Sequence, residues 1–121
     1  MPIESFRSLQ VWQKSVDFVV LIYKVLGNFP KNEQYGLASQ MQRAAVSIPS
    51  DIAEGKERQS DRDFARFITI ALGSLAELET QLVIASRLGY LDEADWQEAT
   101  AQADEIGKML RSLHKTLSST N

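Results

Sequence analysis

Between Lys56 and Arg66 the chain reads KERQSDRDFAR, and Lys56, Arg58, Arg62 and Arg66 crowd positive charge into it. Arg62 and Arg66 stand one helical turn apart and share a face. Such a cluster attracts anions, and the phosphates of a nucleic acid are the natural ones. Glu57, Asp61 and Asp63 are interleaved with it, so the commonest outcome is an ion-paired, solvated helix end. Anion attraction then needs several copies around an oligomer axis, whose fields add. A second polar set, Gln40, Arg43, Ser47, Asp51 and Glu54, falls at steps of three or four and lines one side of a helix. Arg43 joins Lys56, Arg58, Arg62 and Arg66 as a candidate nucleic-acid contact. The rest of that row reads as a structural seam, a hydrogen-bonded network between helices or subunits with Arg43 paired to an acid.

Bond-making chemistry finds little footing. The chain has no cysteine and a single histidine, His114, so thiol nucleophiles, disulfides and the Glu-x-x-His pairs of di-metal bundles drop out. His114 and Arg111 lie near a fraying helix end, and Glu77 and Glu79 point about 200° apart on a helix and cannot share a substrate. No catalytic residue, metal ligand or cofactor is assigned. The enzymatic alternative is a helical RNA-cleaving or toxin-like protein using the charged turn.

These residues sit on helices with plain periodicity. Leu9, Trp12, Val16, Val19, Tyr23 and Leu26 form one row over about 8–27, closed by Gly27, Asn28 and Pro30. Leu37, Met41, Ala44, Ile48 and Ile52 form a second over about 33–57, with Pro49 expected to bend that helix without ending it. Phe64, Ile68, Ala71, Leu75, Leu78, Leu82 and Ala85 form a third over about 61–88, with Ser60 or Asp61 as N-cap and Gly89 at its stop. Trp96, Ala99, Ala103, Ile106, Leu110, Leu113 and Leu117 form the fourth over about 92–118, behind Asp92. The expected fold is all-α: one domain, residues 1–121, built as a left-handed, antiparallel, up-and-down four-helix bundle.

The first helix carries more apolar surface than one core row needs. Phe18, Ile22 and Val25, with Val11, form an offset face, expected to be the interface of a homo-oligomer. The alternative is that the N-terminal arm MPIESF folds back over it. With 121 residues, 44% apolar and 24% charged, the composition is that of a soluble globular domain. The net charge of −3 argues against general nucleic-acid affinity and leaves only a local patch. No signal pattern opens the chain, and the longest unbroken apolar run, Phe18 to Tyr23, is too short for a bilayer. A cytoplasmic protein without membrane association is expected.

The string FPKNEQYGLASQMQRAAVSIPSDIAEG, followed in order by FARF, GSLAELE and LGYL, resembles the four-helix-bundle proteins encoded by intervening sequences of bacterial 23S ribosomal RNA genes. The resemblance covers nearly the whole chain and takes in the accessory variability proteins of diversity-generating retroelements. It implies a homopentamer with a basic surface or channel and no catalysis; the retroelement branch adds binding to nucleic acid and to a reverse transcriptase. Asp51 departs from it, since asparagine is usual there, and its added negative charge speaks against anion binding by the seam. The function expected is a non-catalytic, homo-oligomeric adaptor for nucleic acid, a protein partner, or both.

Overall fold

The computed structural model describes residues 5–119, which form four α-helices and two short 3-10 turns. The helices are α1 (Gln10–Leu26), α2 (Leu37–Lys56), α3 (Asp61–Arg87) and α4 (Glu93–Ser118), and the turns span Phe6–Ser8 and Lys31–Glu33. Short polar side chains set the starts of α3 and α4. The Ser60 hydroxyl accepts from the Asp63 N–H at 3.1 Å, and Asp92 accepts from the Asp95 N–H at 2.7 Å. Asp61, Asp63, Glu93 and Asp95 occupy first turns, where the helix dipole favours negative charge. Gly89 closes α3 at a φ of +80°, which turns the chain so that the Tyr90 N–H returns to the Ala85 carbonyl at 2.9 Å.

The α2 helix starts later than its apolar pattern suggests. Glu33 ends a 3-10 turn instead, and its carboxylate accepts from the Leu37 N–H at 3.2 Å. Pro49 lies inside α2 and does not end it. Ile48 and Ile52 on either side are fully buried, so core packing offsets the lost backbone hydrogen bond. Between α1 and α2 and between α3 and α4 the connections meet: the Phe29 and Tyr90 rings lie 5.2 Å apart, and the Tyr90 hydroxyl donates to Glu33 at 2.9 Å. Both reversals therefore share one end of the bundle, and residues 57–60 make the turn at the other.

One apolar core runs through all four helices. The rows expected on α3 and α4 and most of that on α2 are in it, with Leu37, Trp96 and Leu113 packed at its margin. On α1 the core takes in the offset face as well as much of the expected row: Leu26 is buried and Leu9, Trp12 and Val19 pack against the core, but Tyr23 is left outside. Phe18, Ile22 and Val25, expected at an oligomer interface, are 0%, 0% and 2% exposed and belong to the protomer core, while Tyr23 and Val20 are 47% and 50% exposed. Ser15 sits fully buried in the same row and hides its hydroxyl by donating to the Trp12 carbonyl at 2.8 Å. A serine that bonds its own helix backbone packs like a small apolar residue. The surplus apolar face of α1 is thus Val16, Val20 and Tyr23. Phe6 covers its near end by packing edge-on against Trp12 at 5.2 Å; residues 1–4 of the expected arm lie outside the described residues.

By length and composition α3 is apolar enough to cross a membrane, and much of that character is the core row from Ile68 to Ala85.

Candidate functional site

The turn between α2 and α3 is built on a close helix approach. A Cβ on Gly55 would lie 2.7 Å from the Phe67 Cβ and 2.8 Å from the Phe64 ring, so only glycine lets the helices converge here. Convergence brings the end of α2 beside the start of α3, and Phe67, itself buried, becomes a platform. The guanidinium carbon of Arg58 lies 4.6 Å from the Phe67 ring centroid and that of Arg66 lies 4.9 Å from it. Both charges are held to one ring from two helix ends, a cation–π arrangement. They are within about one Debye length of each other, ~10 Å at 0.1 M salt, so their fields reinforce. Arg62 stands exposed on the first turn of α3, and Lys56 is half-buried at the end of α2. Arg66 reaches Asp63 at 3.9 Å through exposed side chains, which contributes little. The pairing expected to quench the cluster is therefore weak at this position.

Arg43 does not join them. It lies about 20 Å back along α2 at 1.5 Å per residue, and its guanidinium meets the Ser39 hydroxyl at 3.3 Å rather than an acid. The seam residues Gln40, Ser47, Asp51 and Glu54 do share one side of α2, next to α3. Asp51 precedes Gly55 by one turn, and Ser47 donates to the Arg43 carbonyl at 2.8 Å. No closed network forms: a buried Asp51 carboxylate oxygen has no donor among the described residues, nor does the Gln81 Oε1. Gln81 lies two heptads beyond Phe67 and so on the same, α2-facing side of α3.

A family model described as the 23S rRNA-intervening sequence protein matches residues 7–112. The chain belongs to that family. A crystal structure of a protein of unknown function from the S23 ribosomal protein family of Bacteroides thetaiotaomicron is similar at 31% identity and a TM-score of 0.78, over 87% of this chain and 98% of that one. No curated protein matches. His114 is half-buried on α4, and no three potential metal-ligating side chains gather among the described residues.

Sequence reasoning found the four cations of the turn but missed Phe67, because FARF reads as a core step plus charge. The signal was available: Gly55 falls on the core row of α2, where a missing side chain marks close approach. Also missed was a groove along α1 and α2, lined by Tyr23, Val46 and Arg43 and leading to Tyr35, which is 90% exposed.

Proposed function

We propose that the chain is a non-catalytic, self-associating binding protein of the cytoplasm that takes the phosphate backbone of a nucleic acid at its α2–α3 turn. The observation that carries this reading is the pair of guanidinium groups, Arg58 and Arg66, fixed on the Phe67 ring. Fixing like charges in advance lowers the entropy lost when an anion binds. Glu57, Asp61 and Asp63 oppose the field of one protomer, so useful affinity comes from several turns arrayed in an oligomer. The uncovered apolar face of α1 supports that oligomer, and the resemblance favours five copies. A reverse transcriptase is the protein partner suggested by the same resemblance.

Binding to duplex DNA should fall linearly on a log–log salt plot, with a slope of about −0.9 per contacted phosphate, and about −0.7 on single strands, with weak sequence preference. Arg58→Glu combined with Arg62→Glu, in an oligomer confirmed intact, should abolish it. Unchanged binding, or none by wild type at low salt, removes the turn from the function. RNA recovered intact after long incubation supports the non-catalytic reading, and specific cleavage overturns it.

A further inference from the structure

Resting on the self-association proposed above, we infer that copies of this chain join head to tail, the outer row of α3 in one copy seating in the α1–α2 groove of the next, with Glu77 against the neighbour's Arg43. Two apolar surfaces lie uncovered, and they differ in shape. The groove is a pair of adjoining cavities of about 450 and 380 Å³ that share Tyr23, Ser39 and Gln42. The other surface is convex: Ile70, Ile84 and Leu88 of α3 are 44%, 43% and 53% exposed and repeat along its outer side with Glu77 between them.

Charge decides which surface meets which. No carboxylate lines either stretch of the groove, whose charged residues are Lys31 and Arg43. Arg43 has the Ser39 hydroxyl at 3.3 Å, and Glu77 accepts a long 3.4 Å bond from Gln81. Neither enters an ion pair among the described residues. Packing the groove on its own copy would bring Arg43 towards Arg43, and packing the α3 row on itself would bring Glu77 towards Glu77. The groove against the row joins opposite charges.

Lengths agree as well. At 1.5 Å per residue, Ile70 and Ile84 lie about 10 Å either side of Glu77, and on one side the groove runs about 12 Å along the chain from Arg43 to Tyr35. A contact between two different surfaces is heterologous, so repeating it builds a ring where the rotation closes.

The test is a charge exchange read by mass photometry and sedimentation, with helicity checked by circular dichroism; both side chains are exposed. Arg43→Glu alone and Glu77→Arg alone should each weaken assembly by about tenfold or more, and the double variant should restore it. Because the chain has no cysteine, Val46→Cys with Ile84→Cys should give a covalent multimer ladder on mild oxidation, and neither single variant should cross-link. An oligomer indifferent to both charge reversals, a double variant that stays dissociated, or cross-linking by Val46→Cys alone overturns the head-to-tail contact while leaving self-association standing. A monomeric wild type overturns both.

Discussion

Asp51 turns one carboxylate oxygen into the protein with no donor to meet it. Burial first, and the nearby charge of Glu54 second, push its pKa above the ordinary carboxylate value. A raised carboxylate pKa means that the folded state prefers the protonated acid. The associated stability is present below the unfolded pKa and lost as pH rises through the folded one. Asp51→Asn should therefore raise stability at pH 7, by less than about 1 kcal/mol, because the amide has no charge to desolvate and partial exposure screens the carboxylate's cost. The gain should vanish near pH 3, and denaturant melts at the two pH values measure it. The spacing of the polar row was legible in the sequence because steps of three and four place residues on one side of a helix. Which oxygen is covered was not legible, because that depends on the helix packed alongside.

Among the elements, α2 and α3 converge on Gly55, and their packing is sensitive to one methyl group. Gly55→Ala would set its Cβ against the Phe67 Cβ and the Phe64 ring at under 3 Å. Backbone must shift, at about 1–3 kcal/mol, and the Phe67 platform moves with it. A lowered midpoint with unchanged m-value should accompany weakened nucleic-acid binding. Pro49→Ala should leave helix content nearly unchanged, since α2 already runs through that position, and should alter assembly more than ellipticity; oligomer mass and far-ultraviolet dichroism measured together check this. Periodicity found α3 and α4 nearly to the residue because each has an unbroken core row and a side-chain cap. On α1 it placed only part of the core, because two adjacent rows are apolar and the more deeply buried one contains Ser15. Hydrophobicity alone cannot choose between two such faces; only the partners across the core can.

For the whole molecule, the division of α1 between a buried row and an uncovered strip separates folding from assembly. Phe18→Ala empties the core of a fully buried ring and should cost about 3–5 kcal/mol in chemical denaturation. Val20→Glu, on the uncovered face, should change stability by less than about 0.5 kcal/mol under conditions where the protein is monomeric, while disrupting any oligomer formed through that face. The two ends of the bundle also differ in how they are fastened. At the Glu33 end one carboxylate holds both the Leu37 N–H and the Tyr90 hydroxyl, joining the start of α2 to the turn before α4. That shared latch makes the two reversals a single cooperative unit for local opening. Tyr90→Phe should then speed hydrogen exchange at Leu37–Gln40 and Gly89–Leu91 together, with amides around Gly55 unaffected. An opening event at this end would release two chain reversals at once, whereas the arginine-bearing end has only the one turn between α2 and α3 to loosen.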